Sequence, residues 1–327
     1  MGAMRMRRLK FVDRAACYHV MSRTVLGLRL FEDTDKEVLR KMIRKVSLFC
    51  GIEVLTYCIM GNHFHILIRV PEREELTDSE LVSRFACLYP EPTKYQLLSP
   101  QMLKRKLQAG GEEAEALRQK YLARMGDLSH FMKLLKQRFA IWYHKNHGTY
   151  GTLWADRFKS VLVEGKASAL SVVSAYIDLN PVRAGLVSDP KDYRFCGYAE
   201  AVAGSRESIA GLEGVMGSGG KALPAYRILL FGVGSAPREG EAPRITREEA
   251  LKVMQKQKGE LSTAVLLRCR MRYFTDGVII GSKQFVREGI QAVDRGLKFP
   301  CKPHPLAQRG LPEELWIPHC PRRAALG

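Results

Sequence analysis

The chain has 327 residues and a formal net charge of +18, from 52 lysines and arginines against 34 aspartates and glutamates. Its hydrophobic fraction of 46% can build a core, which excludes a globally disordered protein. No apolar run reaches the roughly 20 residues of a membrane span, so we expect no membrane-embedded segment. A positive excess of this size predicts a polyanionic partner, and nucleic acid is the usual one.

Basic residues alternate with aromatic ones between Lys133 and Lys145. Bases of an unpaired strand can stack on such rings, so this pattern favours single-stranded nucleic acid over a merely solvated basic surface. The eight cysteines are scattered without a CxxC pair, and the basic N-terminus has no apolar centre of a signal peptide. These features predict a cytoplasmic protein with reduced thiols.

The sequence pattern of the first part of the chain predicts a strand, a helix and a β-hairpin, in that order. Alternating β-branched residues indicate the strand, and apolar residues at helical spacing indicate the helix. A Gly-Asn pair between two strand-like runs is a good hairpin signal. The predicted bounds are 17–25 for the strand, 33–51 for the helix, and 52–60 and 63–70 for the hairpin strands.

Helical periodicity resumes from 78 to 147, and its clearest segment is 127–147. A short strand is predicted over 157–165. A further helix is predicted over 166–180, and it stops there because the residue before Pro181 disfavours helix.

The rest of the chain differs in composition. Residues 201–243 are rich in glycine, so we interpret them as a connector between a first domain, 1–200, and a C-terminal region, 244–327. Within that region two helical patterns, 261–273 and 282–293, are spaced like a helix-turn-helix.

Two histidines open the second hairpin strand. Alternate residues of a strand share a face, so His63 and His65 lie together, opposite a wholly apolar face that must pack on helices. This spacing lets both imidazoles bind one metal ion, which favours a ligand pair over structural histidines.

A further ligand must come from elsewhere, and helix 166–180 offers two polar residues one turn apart. Tyr176 and Asn180 are spaced i and i+4 and therefore share a helix face. An amide oxygen suits Mg²⁺ or Mn²⁺, and a tyrosine beside the metal could attack a polarised phosphate. The residues alone leave two structural alternatives open, in which Tyr176 is a core aromatic residue and Asn180 is a helix C-cap.

Three strings resemble the REP-associated tyrosine transposases, relatives of the single-tyrosine insertion-sequence transposases. They are 57–68 (YCIMGNHFHILI), 151–160 (GTLWADRFKS) and 176–187 (YIDLNPVRAGLV), and residues 17–23 and 192–198 fit the same pattern. The resemblance extends over roughly the first 200 residues in order. The chain departs from the family at Gly61, where proline is frequent, and in its long C-terminal extension.

The resemblance implies an α+β fold: a ferredoxin-like HUH domain with an antiparallel sheet and flanking helices. The helical patterns in 244–327 predict a small helical C-terminal domain after it. The resemblance also implies that His63 and His65 are metal ligands for Mg²⁺ or Mn²⁺, that Tyr176 is the nucleophile, and that Asn180 is a polar third ligand. The implied activity is cutting and rejoining of single-stranded DNA at hairpins through a 5′-phosphotyrosine. One tyrosine per site further suggests a homodimer or two sequential events.

Basic side chains would hold the DNA, each of them an ordinary surface charge on the alternative interpretation. We select these eight: Arg7, Arg8, Lys10, Arg14, Arg157, Lys159, Lys283 and Arg287. Two rival functions stay open. One is a non-catalytic DNA or RNA hairpin-binding protein derived from a transposase. The other is a metal hydrolase that activates water without a covalent intermediate.

Overall fold

The computed structural model describes residues 11, 14–72, 75–94, 96–217, 220–231, 267, 274–275, 278–294, 305–307 and 315–318. Its centre is a five-stranded sheet in the order β2-β3-β1-β4-β5. The strands are β1 Ala16–Arg23, β2 Glu53–Ile59, β3 His63–Val70, β4 Lys159–Val163 and β5 Ile279–Ile280.

The first four strands have the ferredoxin-like topology that the sequence motifs imply. β1 lies between β3 and β4 and is antiparallel to both, and β2 is antiparallel to β3. This order results from two split β-α-β units. In the first, β3 lies between β1 and β2, and in the second, β1 lies between β3 and β4. β5 then extends the sheet parallel to β4. The predicted α+β class is confirmed, and the β2–β3 hairpin forms as predicted, closed by Met60 N–H donating to His63 O at 2.8 Å.

The helices surround this sheet, and their ends match local sequence signals. Gly51, in the left-handed region at φ 62°, ends the first helix, and Asp127 caps the fifth by accepting from His130 N–H. The helices are α1 Asp33–Cys50, α2 Asp78–Leu88, α3 Pro100–Ala109, α4 Gly111–Leu122, α5 Leu128–His147, α6 Ala167–Asp178, α7 Asn180–Arg183, α8 Gly197–Val202, α9 Arg206–Met216, α10 Ala222–Phe231 and α11 Lys283–Asp294.

One face of the sheet is apolar, as the alternation in β3 predicts. The Phe64 ring packs edge-on to Trp154, with 5.6 Å between the centroids, and Trp154 contacts Phe139 of α5. Phe31, two residues before the first residue of α1, contacts both Phe139 and Trp154. This aromatic cluster joins α1 and α5 to the sheet, so the histidine face of β3 is left for other helices.

The histidine face is covered by α6 and α9, which pack on β2. Within the predicted glycine-rich connector 201–243, residues 206–216 and 222–231 form α9 and α10. A Cβ atom on Gly211 would lie 2.4 Å from the Leu55 carbonyl oxygen, so glycine here permits close helix–strand contact rather than flexibility. Leu212, Val215 and Tyr226 are buried accordingly.

The described part of the C-terminal region contains short strands as well as a helix. β5 belongs to the main sheet, and two short strands, β6 Pro305–Ala307 and β7 Trp316–Pro318, pack with α11. The Glu164 carboxylate after β4 accepts hydrogen bonds from the backbone N–H and hydroxyl of Ser282, at 2.5 and 3.0 Å. The helix predicted over 282–293 is present as α11. The one predicted over 261–273 lies outside the described residues, apart from Leu267.

A buried carboxylate ties α6 to its neighbours. Asp178 is fully buried and accepts from the Thr56 hydroxyl at 2.9 Å, the Tyr226 hydroxyl at 2.6 Å and Tyr198 N–H at 3.3 Å. These donors belong to β2, α10 and α8, so one side chain joins four elements. Burial raises the pKa of the Asp178 carboxyl to about 7, although the three hydrogen bonds oppose the rise.

We predict that Asp178 makes stability depend on pH between about 4 and 7. The folded pKa exceeds the unfolded one, so this contribution is complete below about pH 4 and is lost as pH rises to about 7. The free energy of unfolding of the wild type should fall relative to Asp178→Asn by up to about 1.4 kcal/mol per pH unit. Urea denaturation of both proteins at several pH values measures this difference in the free energy of unfolding. Parallel pH profiles for the two proteins would contradict the prediction.

Candidate active site

His63 is oriented by a neighbouring amide. The Asn62 side-chain nitrogen donates to the Gly27 carbonyl at 2.8 Å, and this contact turns its amide oxygen toward His63. That oxygen lies 2.6 Å from His63 Nδ1 and can only accept, so Nδ1 carries the hydrogen. In the neutral ring the lone pair is therefore on Nε2 of His63.

His65 is held by a second imidazole, contributed by β1. His19 Nε2 lies 2.9 Å from His65 Nδ1, and His19 Nδ1 lies 2.8 Å from the Phe274 carbonyl oxygen. Complete burial lowers the pKa of His19 to about 3, and the nearby Arg183 charge lowers it further, while the Phe274 bond opposes the change. His19 is therefore neutral. The bond to Phe274 makes its Nδ1 a donor and its Nε2 an acceptor from His65.

These two hydrogen bonds place the lone pair of each neutral ring on Nε2, the atom that could bind a metal. The His63 and His65 ring centroids are 5.1 Å apart and the rings are perpendicular. Two imidazoles that bind one divalent ion at about 2.1 Å, roughly at right angles, place their ring centres about 5 Å apart. The donor set therefore fits a divalent metal. Within the described ranges, no group of three or more His, Cys, Asp or Glu residues is arranged as a metal site.

Tyr176 of α6 lies against the histidines. Its ring centroid is 6.4 Å from that of His65 and 6.3 Å from that of His19. The Phe274 ring stacks on it at 4.4 Å, and the Arg183 guanidinium carbon lies 4.0 Å from its centroid. Tyr176 is only 2% exposed. The fold thus brings together three residues selected from sequence, with the tyrosine covered in this conformation.

Arg183, His19 and Phe274 were not selected from sequence. Arg183 donates to the Leu267 carbonyl at 2.8 Å and to the Tyr176 carbonyl at 2.5 Å, which holds the end of α7 against the C-terminal region. The alternation of strand 17–25 could have assigned His19 to one face with Cys17 and Met21. It could not have indicated the pairing of Met21 with His65, which brings that face to the site.

Asn180 lies one turn after Tyr176, where α6 gives way to α7. Its side-chain nitrogen donates to the Ile177 carbonyl at 3.2 Å. The amide oxygen is therefore the atom that could serve as a ligand. Its role as a third metal ligand stays a prediction.

The basic residues selected from sequence occupy several positions. Lys159 is exposed and pairs in register with Met21, so it lies on the same sheet face as His65. Arg157 is exposed just before β4, and the Arg14 guanidinium lies 3.9 Å from the Phe11 ring centroid. Two more, Lys283 and Arg287, are exposed on α11. The remaining three, Arg7, Arg8 and Lys10, lie outside the described residues.

Residues 14–86 match the family model described as "Transposase IS200 like". The match contains β1, the β2–β3 hairpin and both histidines, so the resemblance to insertion-sequence transposases is confirmed over this segment. A solved structure described as the REP-associated tyrosine transposase bound to a REP hairpin is 16% identical. The alignment covers 62% of this chain and 87% of that chain, with a TM-score of 0.39. The comparison with curated proteins finds no match.

None of the helices in the described ranges is long and apolar enough to cross a membrane.

Proposed function

Because residues 14–86 match the IS200-like transposase family, we propose that this chain is a transposase that nicks and rejoins single-stranded DNA beside a hairpin. One observation carries the proposal. Two histidines, each oriented with Nε2 as the ligating atom, lie beside a tyrosine on the only sheet face that combines these groups among the described residues. A metal-binding pair next to a phenol hydroxyl suits phosphoryl transfer to that hydroxyl.

His63 and His65 would hold a divalent cation, Mg²⁺ or Mn²⁺, and Asn180 is the candidate third ligand. Such an ion would orient the scissile phosphate and neutralise charge in the transition state. The Tyr176 oxygen would form a bond to phosphorus while the bond from phosphorus to the 3′ oxygen breaks. The phenol proton is balanced by protonation of the departing 3′ oxygen. The products are a 5′-phosphotyrosine and a 3′-hydroxyl, and attack by a 3′-hydroxyl reverses the step without ATP.

Tyr176 must first become accessible to DNA. Its ring is 2% exposed and contacts the Phe274 ring and the Arg183 guanidinium, so we propose that the Phe274 ring moves away from the phenol when a phosphate approaches. Arg183 would then lie next to the incoming phosphate, where its charge favours binding. This burial also favours the second candidate function, a non-catalytic hairpin-binding protein in which Tyr176 is a core residue.

DNA would be held by the positive surface. Lys159 lies on the histidine face, and Arg157 precedes it, so these two are our first candidates for contacts to the phosphates of the unpaired strand. We propose a cytoplasmic protein. A single tyrosine per site implies a homodimer or two sequential events for complete strand transfer.

We predict that Tyr176→Phe binds hairpin DNA with unchanged affinity but loses cleavage by about a thousandfold or more, because only the attacking hydroxyl is removed. Labelled hairpins with unpaired flanks from the chain's own genomic neighbourhood, separated on denaturing gels, measure cleavage and reveal the covalent adduct. Tyr150→Phe, at a residue that is 96% exposed, is the matched control and should cleave normally. Normal cleavage by Tyr176→Phe would exclude Tyr176 as the nucleophile.

We also predict that His63→Ala and His65→Ala each abolish metal-dependent cleavage while the fold survives. His144→Ala, on the distant helix α5, should have no effect. Chelation should inactivate the wild type, and Mn²⁺ should restore it. Persistent activity in chelator would exclude the metal role. Cleavage without an adduct would indicate the hydrolase, and hairpin binding without any cleavage would indicate the non-catalytic protein.

Helix α11 offers a surface for the duplex stem, since Lys283 and Arg287 are exposed on it while Val286 and Ile290 face the core. We predict that the double variant Lys283→Gln/Arg287→Gln lowers the salt slope of hairpin binding by about 2, because each phosphate contact contributes about 0.9. Binding to an unstructured single strand should change much less.

The matched control for this variant is Lys104→Gln/Arg105→Gln, which removes the same charges from the exposed side of α3. Filter-binding titrations at several salt concentrations measure all three proteins. An equal loss for hairpin and single strand, or no loss, would assign α11 to packing alone.

A further inference from the structure

We propose that His19 is a positioning residue for the candidate metal site, and that it holds His65 in the tautomer that presents Nε2 to a metal ion. The inference rests on the proposed function for its purpose, although the hydrogen bonds that carry it are independent of DNA. His19 is fully buried on β1, 46 residues from His65 in sequence, and the two rings are 5.0 Å apart.

The direction of the two bonds is set by a backbone carbonyl. The Phe274 oxygen can only accept, so the hydrogen on His19 lies on Nδ1. A neutral imidazole carries one hydrogen, so His19 Nε2 must accept the hydrogen of His65 Nδ1 at 2.9 Å. His65 then has its lone pair on Nε2. Such orientation by an outer hydrogen bond is common for histidines that bind metals.

His63 is oriented in the same way, because its Nδ1 donates to the Asn62 amide oxygen as that of His65 donates to His19. Both of these partners are uncharged, whereas histidine ligands are often oriented by a carboxylate. Neutral partners add no negative charge to the site. A bound cation would therefore keep more of its charge for an anionic phosphodiester.

The carbonyl that accepts from His19 belongs to Phe274, whose ring stacks on Tyr176. Phe274 thus makes two contacts of different kinds, a backbone contact with His19 and a ring contact with the candidate nucleophile. The C-terminal region therefore contributes both a hydrogen bond to the partner of His65 and a ring against the candidate nucleophile.

Two variants separate the two bonds of His19. In His19→Asn the shorter amide can still donate to the Phe274 carbonyl but does not reach His65. In His19→Gln the amide oxygen can occupy the position of Nε2 and accept from His65. Met21→Leu is the control for packing, because Met21 lies two residues along the same strand and pairs with His65 in register.

The first measurement is the tautomer of His65 in metal-free protein, read from long-range proton–nitrogen spectra of ¹⁵N-histidine-labelled protein. We expect the Nδ1–H form in the wild type, Met21→Leu and His19→Gln, and a mixture of tautomers in His19→Asn. An Nε2–H form in the wild type would overturn the proposal, and this measurement needs no variant to fold.

The second measurement is Mn²⁺ affinity by titration calorimetry. His19→Asn should bind about 10- to 100-fold more weakly, as is usual when an outer partner of a ligand is removed, and His19→Gln should stay near the wild type. An unchanged tautomer and affinity in folded His19→Asn would overturn the proposal. If the wild type neither cleaves DNA nor binds Mn²⁺, the proposed function fails, and the tautomer still decides the role of His19.

Discussion

The packing of α6 on the histidine face of the sheet is the constraint on which the rest of the structure depends. Asp178 secures it with three hydrogen bonds, from β2, α8 and α10. A carboxyl group that is fully buried without a cation is costly unless donors surround it, so these elements must assemble together. Tyr176, two residues earlier, is thereby brought to His19 and His65, and the position of the candidate nucleophile depends on a group that has no chemical role of its own.

The histidine pair obeys a second constraint, the supply of hydrogen-bond acceptors to its Nδ1 atoms. Acceptors come from two uncharged groups, the Asn62 amide and His19, each of which is fixed by a backbone carbonyl. Preorganised ligands lose little freedom when a metal binds, so this arrangement favours the pair as the metal ligands of the proposed function. Strand β3, which lies between β2 and β1 in the sheet, carries both imidazoles of the pair.

The C-terminal region is part of this architecture. It adds β5 to the sheet, bonds to Glu164 through Ser282, and contacts Tyr176, His19 and Arg183 through Phe274 and Leu267. A core shared across these contacts couples the region to the site.

The sequence by itself determined the features that depend on local periodicity. Alternation in 63–70 placed His63 and His65 on one face, Gly61 and Asn62 marked the hairpin, and the spacing of Tyr176 and Asn180 marked one helix face. The tertiary structure decided the features that depend on distant pairing. His19 reaches His65 only through strand register, and Phe274 is 255 residues from His19 in sequence. The glycine content of a segment does not by itself indicate its structure. The glycine-rich composition of 201–243 indicated a connector, whereas Gly211 permits close packing of a helix against β2. Local sequence encodes faces and turns, whereas which faces meet depends on the packing of the whole chain.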